Sequence, residues 1–274
     1  MNNGKIIAVW GSSNSGKTTT AAKLGMRLAS MKKDVLIVLT DITAPDMNVL
    51  LPFEKDNCSM GDIWSSPDCN TESIYNSCMV TSWDNICILG YKTGENVFSY
   101  PEYTKESITS TFLFLKSLVD YVIVDCISSF AYNVLSTVAL EIADKVIRLG
   151  EANPKSFSFF NSNLSLLADS RYCVNQHIKV LSKAKDYYAK EAAINIMGGI
   201  DTELPYVEEL EYQMLTGELL VDVKEKSMKD YNTGIDMLVN RITEAVIEKK
   251  PKKEQRSPKE GIRFNNILRK REVS

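Results

Sequence analysis

The chain of 274 residues carries a single histidine, His177, and its six cysteines (Cys58, Cys69, Cys78, Cys87, Cys126 and Cys173) contain no C-x-x-C pair. Without clustered imidazoles or paired thiols, neither a zinc site nor a disulfide framework is expected to organise the fold. The expectation is reduced, partly buried thiols, as in a cytosolic protein, and a structural His177. Long apolar runs are missing too, since none approaches the roughly 18–20 residues of a membrane span. Met1, Asn2, Asn3 and Gly4 lead directly into an apolar run, so no secretory leader is expected. A strong net charge is also absent, the formal value being −3. That value hides an asymmetry: residues 249–274 hold ten Lys and Arg against three Glu, which is +7 and leaves −10 for residues 1–248. An acidic body with a basic tail calls for a reason. Core material is ample, with hydrophobic residues at 44%, enough for one large α/β domain or two small ones.

The chain is organised around Val9–Thr20, which reads VWGSSNSGKTTT. Gly11, four residues, then Gly16, Lys17 and Thr18 satisfy the phosphate-loop pattern G-x-x-x-x-G-K-[ST] in full. The flanks agree with it. Lys5–Trp10 is a short apolar run, as a buried parallel strand should be, and Ala21, Leu24, Leu28 and Met31 follow at helical spacing. A chance match in a serine-rich turn would not need these flanks. A strand that turns through a glycine-bounded loop into a helix presents free N–H groups and the positive end of the helix dipole to a phosphate. Gly11, Ser12, Ser13, Asn14, Ser15, Gly16, Lys17, Thr18 and Thr19 are therefore the candidate nucleotide-binding residues. Lys17 would reach the outer phosphates, and the Thr18 hydroxyl would ligate Mg²⁺.

Further along, Asp34–Leu39 reads as a strand ending before the loop Asp41–Asp46, where open α/β sheets place ligands. Gly61–Trp64 and Glu72–Cys78 read as short helices, Asn85–Leu89 as a strand, and Thr104–Leu118 as a helix with Ile108, Phe112, Leu115 and Leu118 on one face. Tyr121–Asp125 is an apolar strand ending in an acid, the Walker B form, whose carboxylate holds the water shell of Mg²⁺. Helices are then expected over Tyr132–Ile142 and Pro154–Leu167, and strands over Lys145–Leu149 and His177–Leu181. Leu204 and Pro205 read as loop before a helix near Val207, and Tyr231–Glu248 as the last helix. Alternating strands and helices of this length predict one doubly wound, mainly parallel sheet flanked by helices, spanning residues 1–248. No internal repeat and no second domain is evident.

In these features the chain resembles the MinD/ParA branch of phosphate-loop ATPases, over nearly all of residues 4–248. The resemblance is carried by the phosphate loop with its Thr run, the Asp41, Ile42, Thr43 loop, and the stretch Asp120–Asp125. Ala143–Gly150, Leu204–Tyr206 with the helix through Leu215, and Gly61–Trp64 fall in the same order as in that family. The resemblance implies ATP and Mg²⁺ as ligands, with Lys17 and Asp41 catalytic and Thr18, Asp41 and Asp125 around the metal. It also implies a homodimer closed over two ATP molecules, with hydrolysis to ADP and phosphate releasing it.

Departures from the family pattern bear on the rate. The signature Lys after the first loop glycine is Ser12, and the second, water-orienting acid of the Asp-x-Asp pair falls on Thr43. The loop is glycine-poor at Ser13 and Asn14, and the switch after Asp125 is Cys126–Ser129 without its glycine. The pair that contacts the base in relatives corresponds to Ser182 and Lys183. Such erosion is similar to the CpaE/TadZ-type pilus-assembly localisation branch, although residues 1–248 are expected to hold no counterpart of that branch's common N-terminal receiver-like domain. The implied role is a cytoplasmic positioning switch for a cell-envelope machine, a Tad-type pilus or secretion apparatus, with a protein partner in that machine. A ParA-like DNA-partitioning ATPase and a nucleotide-binding scaffold without significant hydrolysis stand as alternatives. A metabolic enzyme on this fold ranks last.

Pro251 stops the last helix, and beyond Ser257 and Pro258 the stretch Gly261–Arg271 could form a short helix. Its Phe264, Ile267 and Leu268 would share one face within roughly 100°, with Arg271 intruding. Three readings of residues 249–274 stay open: a solvated basic tail, an anchor on an anionic membrane at its inner face, or a contact to protein or DNA.

Overall fold

The computed structural model describes residues 4–51, 59–66, 69–185, 190–223, 226 and 228–243. From the N-terminus come β1 (Lys5–Gly11), α1 (Lys17–Ser30), β2 (Val35–Leu39), α2 (Met47–Leu50), α3 (Met60–Ser65) and α4 (Thr71–Ser77). Next are β3 (Met79–Val80), β4 (Ile86–Leu89), α5 (Lys105–Leu118), β5 (Tyr121–Asp125), α6 (Val134–Ile142) and β6 (Lys145–Gly150). The chain continues through α7 (Pro154–Asn163), β7 (Ile178–Ala184), α8 (Lys190–Met197), β8 (Thr202–Pro205), α9 (Glu208–Thr216) and α10 (Met228–Thr243).

The strands form one 8-stranded sheet in the order β3-β4-β2-β5-β1-β6-β7-β8. Neighbours are parallel throughout except for the two-residue edge strand β3, which runs antiparallel to β4. The sheet is thus doubly wound, as the alternation of strands and helices requires. β1 lies at its centre, with Val9 level with Asp125 of β5 on one side and Ile147 of β6 on the other. From β1 the chain moves out to β2 on one side, and β6, β7 and β8 build the other. This change of direction creates a crevice at the carboxyl ends of the central strands.

Both sheet faces are covered, which explains why the strands read as continuous apolar runs. Ile7, Val9, Ile37 and Ile123 face one layer with Leu24 and Leu28 of α1 and Ile235, Leu238 and Ile242 of α10. Ile6, Ala8, Trp10, Leu36 and Val124 face the other with Phe112 and Leu115 of α5, Val138 of α6 and Phe160 of α7. Each fully buried Leu, Ile or Phe is worth about 1.5–3 kcal/mol. Helix starts are set locally, with Thr104, Asn133 and Asn153 each accepting a hydrogen bond from the amide three residues on.

The structure differs from the expectations at defined places. Asn133 caps α6, so the helix expected from Tyr132 starts at Val134, and Phe130–Tyr132 is a separate 3₁₀ turn. The helix expected over Pro154–Leu167 becomes α7 followed by a 3₁₀ turn, Leu164–Leu167. Met31 lies past the end of α1 and is exposed rather than buried. Leu204 and Pro205 are not loop but part of β8, a four-residue edge strand too short to show a period. Helices α2 and α8 and strand β3 were not anticipated. Residues 244–248 of the last expected helix and the basic tail lie outside the described residues.

Candidate nucleotide site

The loop between β1 and α1 is shaped by backbone constraints. A Cβ on Gly11 would lie 1.9 Å from the Leu149 carbonyl oxygen, so only glycine lets β1 pass β6 there. The Ser12 amide then donates to that same carbonyl at 3.2 Å. Asn14 and Gly16 take left-handed conformations, with φ of 62° and 75°. Ser15 donates from both its amide and hydroxyl to the Ser12 carbonyl, closing the loop on itself. Gly16 precedes α1 with no side chain capping the helix, which leaves the first-turn amides to an outside acceptor.

Lys17 points across the loop toward the end of β5. Its Nζ donates to Ser128 Oγ at 2.8 Å and to the Ser12 carbonyl at 3.2 Å. Burial lowers the Lys17 pKa against the pull of Asp125, Cys126, Asp41 and Asp46. Thr18 Oγ1 lies 2.5 Å from Asp125 Oδ2 and 3.3 Å from Asp46 Oδ2. Burial raises the Asp125 pKa to about 6 and the Asp46 pKa to about 7; Asp125 and Asp41 push Asp46 further in that direction.

Each of these two carboxylates also keeps a buried Oδ1 without a hydrogen-bond partner. An unpaired buried anion is costly, and a cation beside Thr18 would relieve both. Among the described residues no three His, Cys, Asp or Glu side chains converge into a metal cage. The donor set therefore suits Mg²⁺, which keeps waters and binds through one or two carboxylates together with phosphate.

A cavity of about 500 Å³ opens at the loop, lined by Asn14–Thr20. Ser182, Lys183, Leu204–Val207, Leu210, Glu211, Met214 and Tyr231 complete its lining. Of the expected loop residues, Asn14, Ser15, Gly16, Lys17, Thr18 and Thr19 face this cavity. Gly11 and Ser12 are buried outside its lining, and Ser13 is exposed. Ser12 Oγ is spent on Ser156 Oγ of α7 at 3.0 Å. Ser182 Oγ donates to the Ser15 carbonyl at 2.7 Å and so braces the loop. Asp41 Oδ1 accepts from the Thr43 amide, the Thr43 hydroxyl and the Ala44 amide, at 2.8, 2.6 and 3.1 Å. It lies within electrostatic reach of Lys17, Asp46 and Asp125.

Sequence reasoning missed Asp46, although Pro45-Asp46 before an apolar turn was a signal for an acid at a helix start. Leu210, Glu211 and Met214 were also missed; their spacing along α9 puts them on one face over the cavity. His177 is buried, with Nε2 2.7 Å from the Tyr172 carbonyl oxygen, and lies away from this site. Among the described residues, Cys69, Cys78, Cys87, Cys126 and Cys173 form no disulfide. No described helix is long and apolar enough to cross a membrane.

Comparison with solved structures places the fold. A ParA-family ATPase from Chlorobium tepidum superposes with a TM-score of 0.73 at 17% identity, covering 87% of this chain and 99% of that one. The cell-division ATPase MinD of Pyrococcus furiosus gives 0.69 at 18%, covering 86% and 99%. MinD of Pyrococcus horikoshii, in complex with Mg-ADP, gives 0.67 at 18%, covering 87% and 96%. No family model and no curated protein sequence matches the chain. The fold is that of the MinD/ParA phosphate-loop ATPases.

Proposed function

We propose that this chain is an ATP-binding, weakly hydrolysing switch that works as a homodimer and positions or assembles a cell-envelope machine, of the Tad-type pilus or secretion-apparatus kind. One observation carries the nucleotide reading. Lys17, the Thr18 hydroxyl and the unpaired oxygen of Asp125 converge at the open N-terminus of α1, beside a cavity of about 500 Å³. The Mg-ADP held by a MinD with the same fold supports the choice of ligand. In this reading the first-turn amides and the Lys17 ammonium bind the phosphates, and Leu204, Pro205 and Met214 exclude water around the nucleoside. Thr18 and Asp125 would hold Mg²⁺, which would supply neutralising charge to the phosphate oxygens. Slow turnover is expected because Thr43 brings no carboxylate and its hydroxyl is already given to Asp41.

The positioning role draws on the MinD and ParA neighbours, and the pilus-type branch on the eroded switch at Ser12, Thr43 and Cys126–Ser129. The neighbours support DNA partitioning equally. The basic residues 249–274 would then supply phosphate contacts, which the −10 body does not favour elsewhere. ATP turnover with Mg²⁺, measured beside nucleotide binding and oligomeric state for the wild type, Lys17→Ala and Asp41→Ala, tests the proposal. Turnover abolished by both substitutions supports a working switch. Binding and dimerisation without turnover would make the protein a scaffold with ATP as structural ligand, and no binding at all would overturn the reading.

A further inference from the structure

We propose that Asp46, on the loop after β2, is an acid of the magnesium site and holds the hydrated cation together with Thr18 and Asp125. The assignment rests on the nucleotide reading above and goes beyond it, because neither the phosphate-loop pattern nor the Walker B strand points to this residue.

Asp46 occupies the position before the first residue of α2, where an aspartate ordinarily accepts from the helix amides, yet it makes no side-chain cap. Its carboxylate turns inward instead, with Oδ2 3.3 Å from Thr18 Oγ1. Asp125 Oδ2 approaches the same hydroxyl from β5 at 2.5 Å. A hydroxyl has one proton, so it satisfies one of these acceptors and leaves the other short of a donor. Both acids in addition keep Oδ1 buried and unpartnered, and Asp125 is only 7% exposed.

No salt bridge among the described residues reaches either acid. Lys17, the cation nearby, gives its hydrogen bonds to Ser128 and Ser12. Two carboxylates facing one hydroxyl, with no cation bonded between them, form a place for a divalent ion that arrives with phosphate. Asp41 does different work. Three donors from its own loop converge on Oδ1, so its carboxylate organises the turn that carries Asp46 inward.

The test is the Mg²⁺ dependence of ADP binding by the full chain, measured calorimetrically in EDTA and across a Mg²⁺ titration for the wild type, Asp46→Asn and Asp41→Asn. Thermal unfolding of each variant checks the fold, and Asp46→Ser serves if the Asn variant does not fold. Asp46→Asn is expected to raise the Mg²⁺ midpoint about 10–100-fold, the usual loss when a residue supporting a metal's ligands is removed. Its ADP affinity in EDTA should be undiminished, because the lost charge repelled phosphate. Asp41→Asn should shift the midpoint less than Asp46→Asn does, because Asp41 Oδ1 is held by three donors of its own loop. ADP binding with an unchanged Mg²⁺ midpoint in Asp46→Asn would overturn the assignment alone, as would a loss confined to Asp41→Asn. Absence of ADP binding by the wild type would sink the nucleotide reading and this assignment with it.

Discussion

Removing the Ser128 hydroxyl should tighten nucleotide binding. In the structure Lys17 Nζ donates to Ser128 Oγ at 2.8 Å, and an ammonium that swings away toward the outer phosphates gives up that bond. A hydrogen bond to a charged group contributes about 1.5–3 kcal/mol net. The second acceptor, the Ser12 carbonyl at 3.2 Å, remains in the variant and holds part of that energy. Ser128→Ala should therefore release about 1 kcal/mol of competition, which is roughly a fivefold gain in ADP affinity. Isothermal titration on the wild type and the variant reads it directly. The change should also be visible in the aromatic layer, because Trp10 Nε1 donates to the Ser128 carbonyl at 2.9 Å and Trp10 meets Phe130 edge-on at 5.5 Å. The wild type should show a nucleotide-dependent shift in tryptophan emission that is smaller in Ser128→Ala. Weaker binding by the variant would refute the reasoning, since Ser128 would then be a phosphate ligand rather than a competitor. Unchanged affinity would refute it as well, because Lys17 would be giving up nothing.

Acid stability should carry the signature of His177, whose pKa burial lowers to about 4 from 6.5. A depressed histidine contributes stability that is complete above pH 6.5 and is lost as pH falls toward 4, here about 3 kcal/mol. Urea unfolding between pH 4 and 7 should show that loss in the wild type but not in His177→Gln. Asp125 and Asp46, with raised values, act in the opposite direction in both proteins, so the difference isolates the imidazole; parallel curves would reject the effect. The two phosphate-loop glycines should differ in kind. Gly11→Ala drives a Cβ into the Leu149 carbonyl and should cost about 3 kcal/mol, whereas at Gly16 a Cβ meets open space and only the left-handed φ of 75° costs, about 1 kcal/mol. Equal unfolding midpoints, or the reverse order, would show that β1 and β6 separate more easily than their packing implies.

The amino-acid order was enough to place the central strands β1, β2, β5 and β6 and the long helices α1, α5 and α10, because each has a continuous apolar run or a helical stripe that local rules read. It was enough for the phosphate loop as well, since a glycine-bounded turn into a helix is a local device made from contiguous residues. Edge elements escaped. β3 has two residues and β8 four, and their pairing comes from β4 and β7 rather than from any period of their own.

The second half of the site escaped for a related reason. Asp46 lies 28 residues from Thr18 and 79 from Asp125, and only the sheet order, with β5 between β2 and β1, brings the three together. The family resemblance singled out Asp41 on this loop, and the fold directs one of its oxygens into its own turn while Asp46 Oδ2 lies near the Thr18 hydroxyl. Ser12 and Ser128 likewise take their partners, Ser156 and Lys17, from distant segments. Contiguous chemistry is written in the chain, whereas the direction in which a loop side chain points depends on which neighbour the sheet order brings beside it. The phosphate loop belongs to the first kind and the carboxylates around Thr18 to the second.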